Sequence, residues 1–270
     1  MTTPFGRTVI LQLGPPGGAG RSIQGLRIAA RVKHSRKRSS SSATIEVYNP
    51  APETVALLEP RDAVVRLLAG YDLPREIWLG KPVPGGVQLE RKGPTRTLTI
   101  ESKDTSRRFA TTTLAISFDG DVALADILEE VATQTQIPRR QIDVSSQEVL
   151  VGGVHYEGPV EPFLDQLAAD LGSEWSLVDG QLQLLEDGAD SGRLAPLISS
   201  QKRNLVGTPT RKSKRLIEVT ALLTEPGLRP GDPFVVQSES INGDFVAREV
   251  TFNVDSWDGP FTMTLLGRPR

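Results

Sequence analysis

Apolar and polar positions alternate with period two over much of this chain, a pattern that predicts strands. Residues 7–13 form the first such run. Residues 23–33 form a second, with Ile23, Leu26, Ile28, Ala30 and Val32 falling mostly on one face. Thr44–Tyr48, residues 63–69, residues 76–79 and Thr95–Glu101 continue it. The pattern returns at Leu216–Leu223, Pro233–Gln237, Phe245–Val254 and Phe261–Leu266, with turns at Asn242-Gly243 and Asp258-Gly259. Between these blocks the period changes. Leu124, Ile127, Leu128 and Val131 share one face of a helix, with Asp121 as its cap and Pro138 as its stop. A second helix spans 160–171, its apolar side made by Phe163, Leu164, Leu167, Ala168 and Leu171, and Gly172 suits its end. Trp175 and Leu177, the Asp179-Gly180 turn, then Leu182 and Leu184 read as a hairpin. Pro52–Leu58 reads as a short helix opened by proline. The two longer helices, both in the middle, argue for an α+β, mainly β chain. Three units are expected: 1–111, 112–195 and 196–270.

Composition sharpens this in a few respects. The 25 Gly and 20 Pro sit between short apolar runs, as turns between strands require. No cysteine is present, so disulfides, thiolate metal sites and cysteine nucleophiles are excluded. The net charge of −2 gives no global field for DNA or an anionic membrane. No apolar run approaches the roughly 20 residues of a membrane span. Met1 to Arg7 lacks the regions of a signal peptide. The chain is expected to be made in a cytoplasm, with no lipid anchor.

Chemical motifs fail one by one. Gly14 to Ser22 resembles a phosphate loop, but Pro15 and Arg21 stand where that motif needs Gly and Lys, and a strand follows instead of a helix. Asp119, Asp121 and Glu130 fall at the first, third and twelfth places of a calcium loop. Its sixth place is Leu124 where glycine must turn the chain, and its fifth is Ala123. His34 and His155 have no zinc spacing, and no nucleophile elbow occurs. Carboxylates are plentiful, but none is singled out as a pair. Neither catalytic nor metal residues are assigned, and no cofactor is expected. The remaining feature is the basic tract Arg31, Lys33, His34, Arg36, Lys37, Arg38, followed by four serines. Arg31, Lys33, Arg36, Lys37 and Arg38 are candidate contacts to a partner or to a channel. No aromatic residue interleaves them, so base stacking is not indicated. The alternative is a solvated, mobile hairpin tip over residues 34–42.

The order of strands and turns resembles the hub proteins of phage tails and baseplates. The resemblance rests on Tyr48-Asn49, the helix at Glu53–Leu58, Val64–Leu68, Ala69-Gly70-Tyr71 and Trp78-Leu79-Gly80. Residues 158–186 look like that family's middle domain, and 205–270 like its second barrel. The family's longer members carry a further domain around the second barrel, for which 196–270 leaves little room. The resemblance implies two small tube-like antiparallel β-barrels flanking a small α/β domain. It implies a homotrimer acting as a threefold-to-sixfold symmetry adaptor in a virion. Its partners would be the tail tube or tube-initiator protein, the central spike and other baseplate proteins, with DNA passing through the channel. Three alternatives stand beside it: the hub of a non-phage contractile injection system, a hub that also cleaves cell wall, and a basic-loop nucleic-acid module. A faint internal echo also appears. Pro60-Arg61-Asp62 precedes Val64-Val65, and Pro230-Gly231-Asp232 precedes Val235-Val236, so one fold is expected to be used twice.

Overall fold

Alternation becomes one-sided burial in the computed structural model. It describes residues 6–15, 20–36, 41–60, 63–104, 112–137, 139–143 (backbone only), 149–186 and 189–270. The first block contains β1 (Arg7–Gly14), β2 (Arg21–Ile23), β3 (Ile28–Ser35), β4 (Ser42–Tyr48), the short helix α1 (Pro52–Ala56), β5 (Val64–Tyr71), β6 (Arg75–Lys92) and β7 (Thr95–Lys103). The middle block contains β8 (Thr113–Phe118), β9 (Val122–Ala123), α2 (Leu124–Thr135), β10 (Arg139–Asp143), β11 (Val149–Leu150), β12 (Val154–Pro159), α3 (Val160–Asp170), β13 (Ser173–Val178) and β14 (Gln181–Glu186). The last block contains β15 (Leu197–Ser199), β16 (Leu205–Ser213), β17 (Leu216–Leu222), β18 (Pro233–Gln237), β19 (Asn242–Asp255) and β20 (Phe261–Pro269).

The two β blocks share one core. Leu11, Leu13, Ile45, Val47, Leu67 and Trp78 belong to the same buried cluster as Phe234, Phe252, Met263 and Leu265. The middle block has its own, built from Leu114, Leu124, Ile127, Leu128, Leu164 and Trp175. The helices contribute the faces that their spacing predicts: Leu124, Ile127, Leu128 and Val131 from α2, and Phe163, Leu164, Leu167 and Ala168 from α3. Asp179 and Gly180 both adopt positive φ, as a tight two-residue hairpin turn requires.

Two separate closed barrels do not appear among the described residues. The strands of both blocks join a single thirteen-stranded sheet, in the path β16-β17-β20-β19-β3-β4-β7-β6-β5-β1-β2, with β15 and β18 branching at β19. The cause is the length of β19. Asn242 to Val246 pair with β18, and Glu249 to Asp255 pair with β3, on either side of a bulge between Ala247 and Glu249. One strand thus stitches the last block onto the first.

The same arrangement is nevertheless used twice. Strands β3, β4, β5, β6 and β7, in chain order, lie side by side as β5-β6-β7-β4-β3. Strands β16 to β20 lie side by side as β18-β19-β20-β17-β16, which is the same permutation. Every pairing within both sets is antiparallel. The echo of Pro60 to Asp62 in Pro230 to Asp232 falls just before the equivalent strands β5 and β18. The copies differ around them. α1 has no helical counterpart before β18, and β1 pairs antiparallel with β5 whereas β15 pairs parallel with β18.

Several local expectations change. Asp121 does not cap α2: the preceding residues Val122 and Ala123 pair with β11, so the helix begins at Leu124 behind Ala123, and Asp121 instead accepts a hydrogen bond from the Gly152 N–H. The α2 helix ends with Gln136 in the left-handed region; Pro138 lies outside the described residues. Asn242 and Gly243 are part of β19, not a turn. Strands β8 and β12, which alternate over only six residues each, and β16, which lacks clean alternation, add to the expected strands.

Candidate functional site

The basic tract does not form a solvated tip where it is described. β3 continues to Ser35, and His34, Ser35 and Arg36 are buried. His34 packs between Trp78 and Phe252, with ring centroids 5.6 and 6.0 Å away, and its Nε2–H donates to the Ile77 carbonyl at 2.8 Å. Burial follows from position: β3 lies between β4 and β19 inside the sheet, so alternate side chains enter the shared core. Arg31 is exposed, while Lys33 pairs with Glu249 at 2.8 Å across the β3–β19 seam. Arg36 reaches Glu174 of the middle block at 3.5 Å, and Arg248 reaches the same carboxylate at 2.6 Å. Lys37 and Arg38 lie outside the described residues. Of the five candidate cations, the structure therefore brings Lys33 and Arg36 to one place, the junction with the middle block.

That junction is a cleft of about 600 Å³ between the sheet and the α3–β13 corner, with Lys33, Arg36 and Arg248 facing Asp165, Glu174 and Trp175. Its acids are engaged in holding it together. Glu174 binds the two arginines, Asp165 accepts from Trp175 Nε1 at 2.8 Å, and Glu249 binds Lys33. A second tie lies at buried Arg229. Its guanidinium grips the Asp179 carboxylate at 2.7 and 3.0 Å and donates to the carbonyl of Glu76 at 2.8 Å, so one side chain joins all three blocks. Nearby, Asp232 accepts from Ser191 Oγ, Arg193 and the Arg229 N–H.

Elsewhere the suspected motifs disperse. Asp119 lies near His155, Asp121 binds Gly152, and Glu130 accepts from Gln134. Among the described residues no three His, Asp or Glu side chains are arranged to hold a metal ion. No described helix is long and apolar enough to cross a membrane. At the β19–β20 turn, buried Asp255 is tied to Arg27 at 2.8 Å, and Trp257 is 59% exposed. Burial pushes the Asp255 carboxyl up, but the Arg27 hydrogen bond, the Trp257 N–H and the charges of Arg27 and Arg7 outweigh it. The carboxyl is left below its usual range.

Two features escape a reading of the chain as a whole. The near-neutral total conceals a segregation of charge. Residues 112–195 hold sixteen acids and three Lys or Arg, while the rest holds seventeen acids and twenty-eight Lys or Arg. Counting by block exposes it. The other is the turn joining β16 to β17, where Arg211, Lys212, Lys214 and Arg215 are all exposed. It occupies the same place in the second repeat as the basic tract does in the first.

The fold is shared with known tail proteins. Over 98% of this chain and 97% of the other, it superposes on a tail protein from Neisseria meningitidis with a TM-score of 0.68 and 14% identity. A 43 kDa tail protein of prophage MuSo2 from Shewanella oneidensis gives 0.67 and 12% identity, with 97% and 98% covered. An Escherichia coli component of the type VI secretion system gives 0.57 and 12% identity, with 96% and 76% covered. No family profile and no curated protein matches the sequence. The likeness expected from the strand grammar is therefore present as a common fold.

Proposed function

We propose that this chain is a structural subunit of a phage tail, the central hub of its baseplate, and that it works by assembling into a ring rather than by catalysis. The observation that carries the reading is the strand order used twice within one chain. In the second repeat β16 stands where β3 stands in the first. The Val87–Lys92 half of β6 stands where the Glu249–Asp255 half of β19 stands. β3 and β19 pair with each other inside the chain. Among the described residues, β16 pairs only with β17, and that half of β6 pairs only with β7. A second copy supplies what each edge lacks: β16 of one chain against β6 of the next. Such a head-to-tail contact closes into a ring when its rotation allows.

Three chains with two repeats each give six similar units. That geometry fits a sixfold tube on one side and a threefold spike on the other, with a channel for DNA between. Units 1–111 and 196–270 form the ring in this reading, and 112–195 is carried on it. The carboxylates of the cleft serve as docking groups, not as an acid–base pair. Gel filtration with light scattering, alone and beside tube and spike proteins, is expected to give three times the chain's mass. A strict monomer under all those conditions contradicts the reading. A peptidoglycan gel assay is expected to show no cleared zone. The fold shared with a type VI secretion component supports a second reading, the hub of a non-phage injection system, and the identity of co-purifying proteins separates the two.

A further inference from the structure

The direction of the strands places two charged features together. Four successive antiparallel pairings lead from β3 through β19, β20 and β17 to β16, so β3 and β16 run the same way. Two more lead from β3 through β4 to β7, which also runs that way. The β16–β17 tip therefore emerges at the end of the sheet from which the chain leaves β7 for the acidic middle block. The cations that hold this block within its own chain are Arg36, Arg248, Arg229 and Arg270, the last on Asp190. The tip takes no part: Lys212 pairs with Glu218 of its own hairpin, and Arg211, Lys214 and Arg215 meet no carboxylate among the described residues.

We propose that the Arg211–Arg215 tip is a docking site for the acidic middle block of a second copy of this chain. The proposal rests on the ring reading above and names the contact that orients it. The tip lies on β16, whose outer edge is open to a neighbour. Residues 112–195 of that neighbour carry a formal excess of thirteen negative charges, with Asp126, Glu157 and Asp170 exposed, against an excess of eleven positive charges on the β blocks. Like charges oppose the inverted approach, tip to tip or block to block, so the arrangement selects head-to-tail contact. A nucleic acid fits less well, since the acids carried at this end repel phosphate and the tip holds no aromatic for a base.

The test compares association of three chains by light scattering at about 0.1 M and about 0.5 M salt, where screening of exposed charges differs. The wild type is expected to associate about tenfold more weakly at the higher salt. Reversing the tip, with Arg211→Glu, Lys212→Glu, Lys214→Glu and Arg215→Glu, is expected to abolish association at the lower salt while the circular dichroism of the monomer is unchanged. Adding Asp126→Lys, Glu157→Lys and Asp170→Lys to that same chain is expected to restore it. Assembly of the tip variant equal to that of the wild type, with no salt dependence, overturns the proposal and leaves the ring standing. A wild type that never associates, even with tube and spike proteins, overturns the ring itself. Normal assembly of the tip variant with loss of retention on a 40-base-pair DNA duplex overturns the proposal in favour of phosphate contact.

Discussion

Single side chains decide how the blocks hold together. Arg229 is buried, and removing it strips the guanidinium from Asp179 and a donor from the Glu76 carbonyl. Arg229→Met is expected to cost about 3–5 kcal/mol, the usual range for breaking a buried pair from one side. Adding Asp179→Asn to that variant should recover part of the loss in a urea double-mutant cycle. Asp255 makes a pH-dependent contribution whose sign follows from its lowered pKa. A carboxylate held below its unfolded value stabilises the fold above that unfolded value, and the contribution is lost as pH falls through the folded one. Urea midpoints at about pH 7 and about pH 3 are expected to fall less for Asp255→Asn than for the wild type. His34 shows the limit of reading residues alone. A histidine within a run of cations looks solvated, but the strand it occupies lies inside the sheet, and only tertiary placement sets that.

At the scale of elements, the alternating strands and both helix faces were legible because burial on one side imposes their periods. Turn chemistry gave Asp179-Gly180. What escaped were elements defined by a partner instead of by pattern. β8 and β12 are six-residue strands, half exposed, that pair with each other, and β9 is two residues long and displaces the expected Asp121 cap. β6 outruns its apolar segment because β7 continues beside it to Lys92. The candidate site was half legible. The basic tract was visible, whereas its burial and its counterpart at Arg211–Arg215 depend on the repeat. Close packing between β18 and β20 gives a direct check on this sheet. A Cβ at Gly267 would collide with the ring of Phe234, which is fully buried. Gly267→Ala is expected to cost about 1–3 kcal/mol by overpacking, read as a lowered thermal midpoint.

For the whole molecule, the decisive contact is the seam between β3 and β19, which joins residues near position 30 to residues near 250. Its two sides are separated in sequence by every other element except β1, β2 and β20. Closing so long a loop delays the gain from the contacts it permits, and such non-local pairing slows folding. During synthesis the consequence is a waiting period. β3 has left the ribosome and found β4 well before β19 exists, and until then its inner edge is an unfilled template for any passing strand. A chain shortened before Asn242 should therefore retain β3 and β4 but precipitate or misassemble, with aggregation measured by turbidity rising with concentration, whereas the full chain remains clear. The last strands of this protein thus act as the closing step that protects its first.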